Sequence, residues 1–357
     1  MSLVLLIDLP TFPKGVFPLG LPTVAAALPK SYDVQIIDMN IVGADPNTWR
    51  IQDLKKTLFI GLKVSSQNLQ HAHSITAHFK RLSINTPVIW GGEFPTLQPE
   101  QSLKHADSIV QGAFEDVADL LIHDLNSGLL QSIYRKTVNS IQDHTNPPRL
   151  DLIDHQEAYF TFMGLPTETS RGCDRKCTFC MVHTMQPNYN LKPINTLTEE
   201  IGQHFGKYVN VVDYNIGVSR DHVISISRVF KSSGVLGWMG EMCLDSLDDD
   251  EMLREMAASR CRMIYCGLES VDEDGLKSVN KAKTNPLKDY ERIIRKAQSH
   301  GIQIAAGMIL GLEGTNEGTF ERTAEKFTEW GIAYTKLTFL TYNPGTKVKE
   351  SMKRKGT

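Results

Sequence analysis

No cysteine precedes Cys173 in this chain of 357 residues, and only six occur in all. A disulfide-stapled secreted scaffold is thereby excluded. No run approaches the roughly 20 apolar residues of a membrane span. The N-terminus, Met1-Ser-Leu-Val-Leu-Leu-Ile-Asp8, lacks the positive flank of a signal peptide and breaks its apolar run at Asp8. There is no basic block either: 38 Lys and Arg stand against 41 Asp and Glu, for a net charge of −3. That balance speaks against a nucleic-acid footprint. Low-complexity tracts and short repeats are missing, which removes the solenoids. A cytoplasmic globular protein of about two domains is expected at this length.

What is present is an alternation of apolar runs and amphipathic segments. In the first part, Leu3–Leu9, Val34–Asp38, Leu58–Val64, Val88–Trp90 and Ser108–Val110 read as buried strands. Helix-like stretches lie near Leu19–Leu28, Ala72–Leu82 and Phe114–Leu125. Continuous apolar strands separated by helices predict an α/β fold with a parallel, doubly wound sheet over residues 1–126. Such sheets bind ligands beyond the carboxyl ends of their strands, where this chain carries small residues: Gly20, Ser65, Ser66, Gly91, Gly92 and Gly112. A polar stretch with Pro147-Pro148 reads as a linker over 127–165.

From residue 166 to 357 the alternation resumes. Strands are expected at Thr167–Thr169, Tyr208–Asp213, Leu236–Cys243, Met263–Cys266, Gln303–Ile309 and Thr335–Leu340. Helices are expected at Thr196–Phe205, Asp221–Lys231, Asp249–Ala258, Leu287–His300 and Glu317–Trp330. Six βα units suffice for a partial (β/α)6 barrel, whose chemistry would sit on loops after the strands.

Three thiols fall in the loop after the first of these strands, in Ser170-Arg-Gly-Cys173-Asp-Arg-Lys-Cys177-Thr-Phe-Cys180. Thiolates are the usual ligands of iron–sulfur clusters, which generally take four. Three would leave one iron open to a substrate or cofactor. The rival is a closed zinc site of Cys173, Cys177, Cys180 and His183, which would make the chain a zinc-stabilised binding module without catalysis. The scattered Cys243, Cys261 and Cys266 read as small buried apolar residues. Asp213 and Asn215, after the second barrel strand, and Glu241, inward-pointing if the third strand alternates, are candidate ligands of cofactor or substrate. His71, His73 and His78 read as an exposed helix face.

The cysteine spacing, with Phe179 before the last cysteine, resembles the signature of the radical S-adenosylmethionine (SAM) superfamily. Thr169-Ser170-Arg171-Gly172, Gly267-Leu-Glu269-Ser, Gly307-Met-Ile-Leu-Gly311 and Tyr342-Asn-Pro344-Gly345-Thr346 are similar to its cobalamin-binding (class B-like) branch. In the first domain, Pro18-Leu19-Gly20-Leu21, Ile37-Asp38, Trp90-Gly91-Gly92-Glu93 and Gly112 resemble that branch's cobalamin-binding Rossmann domain. The resemblance implies a [4Fe–4S] cluster on the three cysteines, with SAM chelated at the fourth iron. It also implies Phe179 against adenine, Glu269 on the ribose or methionine amine, and Gly307, Ile309 and Gly311 lining the adenine site. Gly20, Ser65, Ser66, Gly91, Gly92, Glu93 and Gly112 would face cobalamin.

Reductive cleavage of SAM would give a 5′-deoxyadenosyl radical that functionalises an unactivated C–H position of a small-molecule metabolite. Electrons would come from a reductant such as flavodoxin or ferredoxin. The reaction is left between cobalamin-dependent methylation and cobalamin-independent oxidation, hydroxylation or rearrangement. The sequence departs from the family pattern in Val212-Asp213-Tyr214-Asn215, where a tyrosine replaces an acid, and in Gly112-Ala113-Phe114-Glu115. The short stretch after Thr346 leads us to expect an open site, a homodimer that closes it, or a large flat substrate.

Overall fold

The computed structural model describes residues 2–11, 17–82, 85–136, 146–154, 159, 164–204 and 206–355. The chain divides into two compact units, Met1–Thr161 and Phe162–Thr357. The first is built on a parallel sheet of β1 (Leu3–Asp8), β2 (Asp33–Asp38), β3 (Thr57–Lys63), β4 (Val88–Gly91), β5 (Ser108–Gln111) and β6 (Ile133–Arg135), in the order β2-β1-β3-β4-β5-β6. Every residue of β1 is buried, as expected of an interior strand covered on both faces. The strand order reverses between β1 and β3. That switch point is where a doubly wound sheet opens a crevice at its carboxyl edge.

The helix Leu69–Arg81 buries Ala72, Ile75, Thr76 and Phe79 against this sheet. Thr76 accepts the indole N–H of the fully buried Trp90 at 2.9 Å. His71 is exposed, but His73 is half-buried. Its ring stacks on Trp90 and lies 3.9 Å, centroid to centroid, from His105.

The stretch read as a linker contributes a strand. β6 pairs with β5 in the register Ile109↔Ile133 and Val110↔Tyr134. It escaped sequence reading because Tyr134 alone is buried, between exposed Ile133 and Arg135, so no apolar run marks it. The Tyr134 hydroxyl donates to the buried Asp124 carboxylate at 3.0 Å. Within that stretch, residues 137–145, 155–158 and 160–163 lie outside the described residues.

The second unit carries β7 (Leu165–Thr167), a two-residue pair β8 (Ser170–Arg171) and β9 (Asn190–Leu191), then β10 (Tyr208–Val211), β11 (Gly237–Glu241), β12 (Cys261–Glu269), β13 (Gln303–Leu310) and β14 (Tyr334–Phe339). Its large sheet runs β14-β13-β12-β11-β10-β7, with all neighbours parallel. Strands in sequential order, each followed by a helix, make an open (β/α)6 barrel. The helices Ile194–Gly202, Arg220–Ser232, Asp250–Ala258, Tyr290–Ser299 and Gly318–Trp330 cover it. The core joins strands to helices through Trp238, which stacks on Phe230, and through Ile264, Ile304 and Tyr290. Strand bounds differ modestly from expectation: the first strand ends before Thr169, and β12 is longer than the read segment. Among the described residues, no helix is long and apolar enough to cross a membrane.

Candidate active site

The loop after β7 is held from three directions before it reaches Cys173. Asp213 accepts hydrogen bonds from the backbone N–H of Thr169 (2.7 Å), the Thr169 hydroxyl (2.6 Å) and the Ser170 hydroxyl (2.6 Å). Burial pushes its carboxyl up to about 7, opposed by those same donors. His222 Nε2 lies 3.0 Å from the Thr169 hydroxyl. Gly172 adopts φ +87°, and a Cβ there would strike the carbonyl of Asn188. Only glycine fits such a turn.

Asn215 is a second tie. Its Oδ1 accepts from Gly217 N–H (3.2 Å) and Cys243 N–H (3.1 Å), while its amide points at Cys173 Sγ, 3.8 Å away. Asp213 and Asn215 are 2% and 1% exposed. Their polar atoms bond to loop and strand ends, so in this structure both residues scaffold the cysteine loop.

At the carboxyl edge of β10 to β14 a cavity of about 420 Å³ opens, with Cys173, Cys177 and Cys180 on its wall. Backbone N–H groups of Arg175 and Val182 reach Cys173 Sγ and Cys180 Sγ, each at 3.4 Å. Burial pushes the Cys177 thiol up to about 12 and raises Cys180 as well. Such thiols are protonated at neutral pH, so a bound cation must displace protons on entering. His183, the fourth member of the zinc alternative, instead turns Nε2 to the carbonyl of Arg175. Among the described residues, no three His, Cys, Asp or Glu side chains close on a single ion.

The rest of the wall is polar. Glu269 ends β12 after a register shift and sits at φ +67°, which is rare for a residue with a side chain. Its Oε1 is 3.0 Å from the ammonium of Lys281, which also donates to the carbonyl of Gly267 at 2.8 Å. A Cβ at Gly267 would collide with both partners, so that glycine makes room for the ion pair. Burial opposes the charge on Lys281, yet Glu269, Cys177 and Cys243 together hold it above the ordinary lysine range. Phe179, Glu241 and Ile309 line the cavity. Glu241 is solvent-exposed at the end of β11, yet the protein atoms around it at the cavity push its carboxyl up to about 7.

Gly307 and Gly311 are not on that wall. Gly307 is small because the hydroxyl of Tyr265 occupies the space a Cβ would need. Gly311 follows β13 at φ +82°, with open space around it. Cys261 and Cys266 are core residues, 2% and 0% exposed. Cys243 is buried too, but it lines the cavity, against its reading as a plain core residue. Sequence reasoning also missed Tyr265, Lys281, Arg175 and Lys336. Alternation along β12 from Glu269 and Gly267 points to Tyr265, and the polar Lys336 and Thr338 on β14 carry the same signal.

In the first unit the small residues gather at one edge of the sheet. Gly20 opens the helix Gly20–Ala26, Ser65 and Ser66 follow β3, Gly91 and Gly92 close β4, and Gly112 follows β5. Ser66 donates to Glu93 at 2.8 Å, and Gly112 N–H donates to Thr96 at 3.1 Å. Gly92, at φ +105°, packs against the Val64 carbonyl, whereas nothing stands within 4 Å of a Cβ placed on Gly91.

One unit is a parallel half-barrel with three cysteines at its mouth, and the other a doubly wound sheet with glycines and serines at its carboxyl edge. The radical SAM superfamily model matches residues 167–327, and the B12 binding domain model matches residues 7–122. The chain thus carries a radical SAM domain and, before it, a B12-binding domain.

Among curated proteins it is 25% identical over 346 residues to the bacteriochlorophyllide d C-12(1)-methyltransferase of Chlorobaculum tepidum, covering 94% of this chain and 74% of that protein. Among solved structures it superposes on TsrM from Kitasatospora setae, a radical SAM methyltransferase with cobalamin and a [4Fe–4S] cluster bound. The TM-score is 0.79 at 17% identity, over 99% of this chain and 75% of TsrM. OxsB, a cobalamin-dependent radical SAM enzyme with aqua-cobalamin and SAM bound, gives a TM-score of 0.77 at 19% identity, over 99% of this chain and 61% of OxsB. The chain thus spans less than two thirds of OxsB's length. The cofactors of these solved neighbours match the two domain types found in this chain.

Proposed function

We propose that this protein is a cobalamin-dependent radical SAM methyltransferase that acts on an unactivated carbon of a small-molecule substrate. The observation that carries the reading is the meeting of Cys173, Cys177 and Cys180 with the buried Glu269–Lys281 pair on one cavity wall. Three thiols spread around a cavity without closing on one ion suit a cube of irons better than a single zinc. When bound, the cluster supplies the electron that cleaves SAM, and the cobalamin carries the methyl group. Supporting the cobalamin assignment are the B12-binding model match and the open space beside Gly91.

This chain's residues then have defined tasks. Glu269 offers a carboxylate to the SAM ammonium or ribose hydroxyls, and Phe179 and Ile309 offer apolar surface to the adenine. Glu241, with its carboxyl pushed up to about 7, can hold or release a proton near neutral pH at the substrate side of the cavity. Tyr265 presents a neutral hydroxyl, since burial raises it further above the ordinary tyrosine range. A reductant of the flavodoxin or ferredoxin class completes the scheme.

Product analysis tests the reading. Methylation releases S-adenosylhomocysteine together with 5′-deoxyadenosine. A radical oxidation or rearrangement releases 5′-deoxyadenosine and methionine without S-adenosylhomocysteine, and that pattern would displace the methyltransferase assignment.

A further inference from the structure

We infer that Lys281 is the buried countercharge of the iron–sulfur cluster, a positioning residue whose ammonium raises the cluster's reduction potential before SAM arrives. The inference rests on the cluster reading above. It starts from a turn fastened to the cysteine loop on both sides of Cys177. Thr178 N–H donates to the Val279 carbonyl at 3.3 Å, and the Asn280 amide donates to the Lys176 carbonyl at 3.0 Å. Asn280 takes φ +60°, a conformation asparagine tolerates better than most residues, and so reverses the chain just ahead of Lys281.

The ammonium delivered to the cavity in this way is only 5% exposed. Burying an ion pair is seldom the cheapest way to stabilise a fold, because apolar residues of similar volume do as well or better. The pair therefore calls for a function. Lys281 lines the same cavity as Cys173, Cys177 and Cys180, and its turn is bonded to the residues on either side of Cys177, whereas Glu269 enters from β12, so the ammonium is the charge tied to the cysteine loop. Arg175, another cation on the cavity wall, has its charge offset by Asp245 at 3.0 Å and Asp174 at 3.2 Å.

A cluster carrying three thiolates becomes more negative with each electron it accepts. In a cavity of low dielectric constant a nearby fixed cation favours that electron, and a fixed anion opposes it. Lys281 and Glu269 should thus pull the potential in opposite directions, with Lys281 prevailing. A pair too far from the cluster or too well screened to act on it predicts neither shift.

The test is an anaerobic potentiometric titration followed by electron paramagnetic resonance, without SAM, on reconstituted full-length protein. Wild type, Lys281→Arg, Glu269→Gln and the double variant Lys281→Gln/Glu269→Gln are compared, each first assayed for iron and sulfide. Glu269→Gln should be easier to reduce than wild type, the double variant harder, and Lys281→Arg close to wild type. A tenfold difference in reduction equilibrium between Glu269→Gln and the double variant, 59 mV for one electron, is expected. Reduction equilibria within twofold of each other, or shifts of the same sign, would overturn the inference. Should the double variant take up no cluster, Glu269→Gln decides alone: an unchanged or lower potential refutes the countercharge. Wild-type protein that takes up no iron would sink the cluster reading itself.

Discussion

The carboxylate of Asp213 accepts both the backbone N–H and the hydroxyl of Thr169, at 2.7 and 2.6 Å. Together with the Ser170 hydroxyl, these bonds fix the two residues that lead into the cysteine loop. Replacing Asp213 with alanine leaves three buried donors without an acceptor. Each such loss costs about 1–3 kcal/mol before relaxation. We expect Asp213→Ala to lose about 2–4 kcal/mol in denaturant unfolding, with iron retained per chain falling severalfold. An unchanged midpoint and full iron content would show that the loop holds itself.

His222, beyond Thr169 in the same chain of contacts, gives a pH signature. Burial lowers its imidazole from 6.5 to about 4, so the folded protein keeps it neutral. Between those values the unfolded chain binds a proton that the folded chain does not. Stability from this site is therefore complete above about 6.5 and is lost as pH falls toward 4. The full effect is on the order of 3 kcal/mol. His222→Gln should flatten the acid limb of unfolding free energy against pH; a limb of undiminished slope would assign it to other groups.

Gly172 has no room for a side chain. Alanine at this position meets the Asn188 carbonyl at a backbone angle that disfavours any Cβ. We expect Gly172→Ala to separate β8 from β9 and displace Cys173, so that reconstituted protein shows weak visible absorbance for its protein content. Normal absorbance would mean that the loop relaxes without losing its ligands.

Two adjacent glycines separate ligand space from fold stability in the first unit. A valine at Gly91 projects into open space, so Gly91→Val should melt within about 1 °C of wild type for each few tenths of a kcal/mol and still fail to bind hydroxocobalamin. Alanine at Gly92 presses on the Val64 carbonyl at positive φ and should lower the melting point. Absorbance titration with hydroxocobalamin reads the first effect and calorimetry the second. Tight binding by Gly91→Val would move the cofactor away from β4.

The parts of the fold that were legible in sequence are those whose burial is continuous or periodic. β1 and β3 are apolar runs, and the helix Arg220–Ser232 repeats Val223, Ile226, Val229 and Phe230 toward the core. β6 was not legible because one buried tyrosine between two exposed residues carries no period. At the site, the three cysteines announced themselves by spacing. Lys281 did not: it follows the helix Glu273–Ser278 in an irregular turn, and only the bonds of Thr178 and Asn280 to the cysteine loop make it part of the cavity. Asp213 was seen, but its bonds to Thr169 and Ser170 were not. A carboxylate after a barrel strand can face a ligand or tie a loop, and only the positions of Thr169 and Ser170 distinguish the two.

The most direct test is anaerobic reconstitution followed by incubation with SAM and a strong reductant, with iron, sulfide and 5′-deoxyadenosine measured on the same sample. We expect about four irons and four sulfides per chain and steady 5′-deoxyadenosine formation, both lost in Cys177→Ser while the fold persists. Stoichiometric zinc without sulfide, or a full cluster that leaves SAM intact, would contradict the account.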